Sequence, residues 1–504
     1  MDLPDTATFP STPLSGHPPR CGVVDLGSNS VRLVVFEGRG RNPLAIFNEK
    51  AVLGLGRGLQ STGRLNEEAV PQALTVMARY YAVARAMGAD PVEVLATAAV
   101  RDAENGPAFA AALGQRLPGV PIHILDGEEE ARFSADGVLM GFPSADGILG
   151  DLGGGSLELV ELNQGHVGNM VSLPLGAIRL SDRAGGDVVK ARGIAETELS
   201  AVKWLSEGKE RDLYLVGGAW RALAKIHIAQ TAYPLSIVHH YVLRREEARD
   251  LCGLVMTATR RTLERLPGAP SKRLQDLPFA AVALRRLLRV TGARRVVFSA
   301  NGLREGWYAR LLPQAVRTED PLLAAGREMA NQFGRDTAMP QALMDWTAPI
   351  CSQESPAHTA LRKAACLLSD IGAHDHPDYR AEQSFLRVLR QPGIGLDHHD
   401  RAFLALAVAL RYEPEADASW LGAARMLLDS AAIRHAEILG AVLRLAYTLS
   451  GGTTELLSRT SLHLTDRALM LRLAGDGVFA GDSVQRRVET LASMLGLEGA
   501  VETA

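Results

Sequence analysis

Two aspartates, Asp25 and Asp151, open the same short phrase. "DLGSNS" begins at Asp25 and "DLGGGS" at Asp151, 126 residues later (151 − 25), and both read Asp-Leu-Gly-x-x-Ser between apolar runs. Glycine permits positive φ and close approach of the backbone, and successive N–H groups in a tight turn form a concavity that suits an anion. The amides of Gly27, Ser28, Asn29 and Ser30 in the first turn, and of Gly153, Gly154, Gly155 and Ser156 in the second, are therefore candidates for cradling a phosphoryl group. Asp25 and Asp151, each just ahead of its turn, suit a hydrated Mg²⁺ bridging to that phosphate. A Walker loop would need Gly-Lys-Ser/Thr with a helix behind it, and a dinucleotide fingerprint also needs a helix after its glycines. Here strand-like runs follow both turns, so neither reading holds. One such turn is an ordinary hairpin; two copies opening similar segments favour a shared phosphate site.

These turns need rigid elements on either side. "CGVVDLG", "VRLVVFE", "VEVLATAA" and "PIHILD" predict strands, whereas "EEAVPQALTVMARYYAVARAMG" and "PAFAAALGQRL" space their apolar residues as helices do. "EEEARFSADGVLMG" predicts a helix whose acidic first turn suits the helix dipole. A second cycle starts at Gly147 with "GILGDLGG", "SLELVEL" and "HVGNMVSLPLG", then a helix around 194–206, "LYLVGGA" and "RRVVFSANG". In "SLELVEL", Glu158 and Glu161 interrupt the leucines, which predicts a strand with one wet face. The pattern implies an α/β unit duplicated in one chain, with halves over 21–140 and 141–312 facing across a cleft. Beyond them, 320–504 reads as a mainly α-helical domain with a hairpin in "TSLHLTDRALMLRLAG". Residues 1–20, rich in proline and small polar residues, are expected to be a disordered tail that is not a secretory signal.

Bulk properties set outer limits. A net charge of −3 argues against a dedicated nucleic-acid binder. Four scattered cysteines form no Cys-x-x-Cys pair and read as free thiols of a reducing compartment. No apolar run reaches the length of a membrane span, so a cytoplasmic protein is expected.

The paired turns resemble the two halves of the actin-like (ribonuclease H-like) ATPase superfold. Within it, "VLATAAVRDAENG", "HILDGEEEARFSADGV", "YLVGGAWRALAKI" and "FSANGLREGWYARLL" are similar, in order, to segments of the exopolyphosphatase / guanosine-pentaphosphate phosphohydrolase family. The resemblance runs from about Cys21 to Leu312. It implies that Glu130, directly before Ala-Arg, is the general base, and that Glu158 positions metal or water. It further implies that Arg101 contacts phosphate, that Gly217 and Gly218 line the other side of the cleft, and that Asp25, Asp151 and Glu158 hold Mg²⁺. The implied activity is that of an exopolyphosphatase releasing orthophosphate from inorganic polyphosphate, in a homodimer. A guanosine pentaphosphate phosphohydrolase yielding the tetraphosphate shares these motifs, and a non-catalytic regulator binding polyphosphate or an alarmone is a rival from another class. An adenosine pocket is disfavoured because Trp220 and Arg221 follow the glycines at once.

The family's C-terminal region resembles an HD-type phosphohydrolase domain, whose metal site needs a His-Asp doublet. Ser369-Asp370 stands at that position, and a hydroxyl replaces imidazole poorly at a transition metal. An HD-like scaffold with a degenerate metal site is therefore expected. His374, His376, His398 and His399 then read as surface or helix-cap residues.

Overall fold

The computed structural model describes residues 18–352, 354–392, 395–474 and 481–503, so all but the end of the expected tail lies outside the described residues. Two compact units meet in sequence between Thr318 and Glu319.

The first unit holds two sheets. Strands β1 (Arg20–Leu26), β2 (Ser30–Glu37), β3 (Leu44–Val52), β4 (Ala89–Ala96) and β5 (Ile122–Ile124) lie in the order β3-β2-β1-β4-β5. Strands β6 (Gly147–Leu152), β7 (Leu157–Asn163), β8 (His166–Leu173), β9 (Asp212–Val216), β10 (Tyr241–Arg244) and β11 (Arg295–Phe298) lie in the order β10-β11-β9-β6-β7-β8. In each sheet an antiparallel hairpin, β1–β2 or β6–β7, is followed by a strand parallel to its first member, β4 or β9. The second sheet therefore repeats the first, with β10 added at one edge: a duplicated actin-like α/β architecture.

Side-chain alternation decides what each strand aims at the cleft. On β1, Val24 and Leu26 join the core beneath helix Ala69–Ala86, while Cys21 and Val23 pack against Trp307 and Tyr308. Asp25 shares the second face. On β6 and β7, Ile148, Leu157 and Leu159 enter the main core of the second lobe; Leu149, Val160 and Leu162 meet Ala131, Ala135 and Val138 of helix Gly127–Gly141. Asp151 and Glu158 share that face, and so point towards this helix.

Two glycines fix the helix in place. A β-carbon on Gly137 would lie 2.9 Å from the Gly302 α-carbon, and one on Gly306 would lie 2.9 Å from the Gly137 nitrogen. Only glycines allow helix Leu303–Ala309 to lie this close to helix Gly127–Gly141. Asp126 starts the latter with a capping box: its carboxylate accepts from the Glu129 amide at 2.8 Å, and Glu129 accepts from the Asp126 amide at 2.9 Å.

The second unit is mainly helical. Helix Ser430–Ser450, capped by Asp429 and ended by Gly451 at φ 61°, packs with helix His398–Leu410, and the latter with helix Arg380–Arg390. The expected hairpin is present as β12 (Thr460–Leu464) and β13 (Ala468–Leu473). A third strand, β14 (Glu498–Thr503), pairs parallel to β13; it lacks the alternating apolar pattern that betrays the hairpin.

Candidate active site

Both Asp-Leu-Gly turns close with the same bond. The Gly27 amide donates to the Ser30 carbonyl at 3.1 Å, and the Gly153 amide to the Ser156 carbonyl at 3.0 Å. The two turns also touch. A β-carbon on Gly155 would lie 2.7 Å from Ser28 Oγ, and one on Gly154 would lie 3.1 Å from Ser28 Cβ and 3.3 Å from the Asn29 nitrogen. Close approach, rather than backbone freedom, is what Gly154 and Gly155 supply, whereas a β-carbon on Gly27 or Gly153 would make only ordinary contacts. None of Gly27, Gly153, Gly154 and Gly155 has positive φ, contrary to the sequence reading. Gly217 does, at φ 109°, where a β-carbon would strike the Leu152 carbonyl.

A cleft of about 150 Å³ opens between the turns, lined by Asp25, Gly27, Ser28, Asn29, Ser30, Glu130, Asp151, Gly153, Gly154, Gly155, Ser156, Glu158, Gly217 and Gly218. Every candidate site residue lines it except Arg101. That guanidinium sits behind Glu130: its Nη1 is bonded to the Glu130 carboxylate and donates to the Leu125 carbonyl at 2.8 Å.

Four carboxylates converge here. Burial pushes Glu158 up to about 7, helped by the charge of Asp151 and opposed by hydrogen bonds from Ser156 and Ser172, the latter at 2.9 Å. Burial, then the neighbouring Glu158, holds Glu130 well above the usual carboxylate range against the pull of Arg101. Burial likewise raises Asp25, opposed by Arg304 at 3.5 Å, and Asp151, opposed by a hydrogen bond from Ser134.

A bank of cations completes the lining, Arg32, Lys50, Arg221, Arg273 and Arg304, of which motif reading touched only Arg221 and Arg304 and gave neither a part in holding phosphate. Burial and mutual repulsion push Lys50 down to about 7, and Arg32 and Arg221 down to about 10. Arg32 had a signal. It pairs with Asp25 across the first hairpin as Glu158 pairs with Asp151 across the second, so the repeat places a base and an acid at the same register position. Lys50 is Arg32's partner on β3, a strand that sequence patterning did not pick out.

Two other expectations change. Glu158 and Glu161 are both buried, on opposite faces of β7: helix Gly127–Gly141 covers the face that carries Glu158. Glu161, on the other face, accepts from Asn169 Nδ2 at 2.8 Å. Trp220 turns away from the cleft into the second-lobe core and donates to the Ala280 carbonyl at 2.9 Å, so it says nothing about an adenine pocket. Arg221 alone of that pair lines the cleft.

The carboxylates suit a hydrated ion. The one acidic or histidine cluster among the described residues with three ligand atoms inside 4.8 Å is Asp397, His399 and Asp400, not the cleft set. Mg²⁺ keeps several waters and takes one or two carboxylates with substrate oxygens, so a preformed cage is not required in the cleft. The Asp397 group is explained by helix capping: Asp397 accepts from the Asp400 amide at 2.8 Å. His374, His376 and His399 are exposed as expected, whereas His398 is buried. Asp370 is engaged by Arg335 and Arg411, and Ser369 Oγ bonds the Cys366 carbonyl at 2.7 Å.

Fold and cleft together define a two-lobed actin-like protein built to handle phosphoryl groups. The chain belongs to the Ppx/GppA phosphatase family, whose model matches residues 34–315; a second model, "Exopolyphosphatase, C-terminal", matches 322–501. Among curated proteins it is 27% identical to Exopolyphosphatase 2 of Mycobacterium tuberculosis over 54% of this chain and 90% of that one. It is 26% identical to Retrograde regulation protein 2 of Saccharomyces cerevisiae over 78% and 72%. A solved exopolyphosphatase structure from Cytophaga hutchinsonii shares the fold, with TM-score 0.53 and 24% identity over 58% of this chain and 97% of that one.

Proposed function

We infer that the cleft hydrolyses the terminal phosphoanhydride bond of inorganic polyphosphate and releases orthophosphate. The observation that carries this reading is the contact of Gly154 and Gly155 with Ser28, which brings both phosphate turns to one point beside Glu130. Similarity to named exopolyphosphatases supports the choice of substrate.

In this mechanism the amides of the two turns hold the terminal phosphoryl group and stabilise the charge that develops on its oxygens. Glu130 takes a proton from the attacking water. Its raised pKa makes it a stronger base, and Arg101 fixes its orientation. Arg32, Lys50, Arg221 and Arg273 grip the phosphates that follow. Asp25, Asp151 and Glu158 would hold Mg²⁺, whose charge would offset that of the phosphoryl oxygens. The buried cysteines Cys21, Cys252 and Cys366, none in a disulfide, fit a reducing cytoplasm.

The test is orthophosphate release from long-chain polyphosphate and, separately, from guanosine pentaphosphate. Faster release from the polymer is expected. Faster release from the nucleotide would reassign the substrate, and release from neither would leave a binding protein.

A further inference from the structure

The second unit carries a cavity of about 460 Å³ that the proposed reaction does not use. Arg335, Arg380, Arg411, Arg444, Tyr412 and Tyr447 contribute to its wall. Behind them lies Asp370, the aspartate of the Ser-Asp doublet. It accepts from Arg335 Nε at 2.9 Å, Arg335 Nη2 at 2.8 Å and Arg411 Nη2 at 3.0 Å. Arg411 is only 8% exposed, and its guanidinium carbon stands 3.9 Å from the Tyr412 ring centre and 3.6 Å from that of Tyr447. Two guanidiniums thus occupy the carboxylate that would serve a cation, and the rings hold one of them in place.

The charges do not balance. Among the described residues, the carboxylates paired with these four arginines are Asp370 and Glu413, the latter with Arg444. Two positive charges are left over. Arg411 is more than nine-tenths buried and stacks on both rings, and Arg380 lies over the Tyr412 ring. Guanidiniums gathered in a partly desolvated wall repel one another unless an anion joins them. The volume lies in the range of small-molecule sites.

We propose that this cavity binds a phosphoryl group carrying two negative charges, as inorganic phosphate or as the terminal phosphate of pyrophosphate or of a larger compound. A dianion matches the excess of two charges, and planar guanidinium forks match phosphoryl oxygens. A carboxylate would leave one charge over. The site shares no residue with the cleft.

Equilibrium dialysis of the full chain against labelled orthophosphate and pyrophosphate tests this, with acetate as competitor. An Arg380→Ala/Arg444→Ala variant should lose one bound anion per chain, while an Arg32→Ala/Lys50→Ala variant keeps it. Arg380→Gln alone, a change at a half-buried residue, should weaken that binding at least 10-fold with an unchanged circular dichroism spectrum. Tighter binding of pyrophosphate would point to an extended ligand and equal binding to free phosphate; either supports the site. Undiminished stoichiometry in the folded double variant, or equal displacement by acetate, would overturn it.

Discussion

Glu130 and Lys50 carry the sharpest tests at the scale of single residues. Glu130→Gln should keep polyphosphate binding and lose about 10²–10⁴-fold in turnover, as measured by steady-state kinetics beside a binding assay. Wild-type turnover in that variant would remove the base. Because burial raises both Glu130 and Glu158, the latter to about 7, turnover should climb as pH rises through neutrality and they lose their protons. A flat profile from pH 5.5 to 8.5 would contradict this. Stability runs the other way. The folded state holds a proton on Glu158 that the unfolded chain has released above its ordinary value, so this contribution is lost as pH rises from that value through about 7. Glu158→Gln in metal-free buffer should therefore stabilise the protein by roughly 1–3 kcal/mol at pH 8 and by nothing at pH 4, read from urea unfolding. Lys50, pushed down to about 7 beside three arginines, should take up a proton when a polyanion arrives at pH 8. Calorimetry in buffers of different ionisation enthalpy would detect that uptake, and Lys50→Met should abolish it.

Elements explain which of these residues patterning could reveal. The Asp25 and Asp151 turns are local: six consecutive residues state the whole feature, and the repeat doubles the signal. The helix that carries Glu130 is legible with equal locality from its acidic first turn, but only the family resemblance singles Glu130 out of Glu128, Glu129 and Glu130. Arg273 ends a 3-10 turn, Ser271–Arg273, ahead of helix Leu277–Thr291, and Lys50 lies on a strand without clean alternation, so only tertiary structure brings them to the cleft. Glu158 was misread as water-facing because its cover, helix Gly127–Gly141, precedes it in sequence and belongs to no local period. That helix offers its own test. Gly137→Ala would force a methyl into the Gly302 backbone, costing at least about 2 kcal/mol of stability and shifting Glu130. Thermal unfolding and kcat should fall together; loss of neither would mean that the helix tolerates displacement.

At the scale of the first unit, the lobes are tied by a shared core as well as by the turns: Cys21 and Val23 pack against Trp307 and Tyr308, and helix Gly127–Gly141 packs on β7. Arg179 of the second lobe pairs with Asp102 of the first, next to Arg101, and the Gly58 amide donates to Asp182 at 3.2 Å. Arg179→Ala should lower kcat about 10-fold and leave the melting temperature within a few degrees, since ion pairs of this partly exposed kind add little stability. Unchanged kinetics would show that the turns and the shared core align the lobes without this ion pair. The shared register of Arg32 and Glu158 has a corollary. Two identical copies of one half would carry the same residue twice at this spot, and with today's side chains that means two bases or two acids. The first pairing would clamp its substrate without helping to activate water, and the second would repel it. With both halves in one chain each can carry a different answer, so the halves, alike in topology, are not interchangeable.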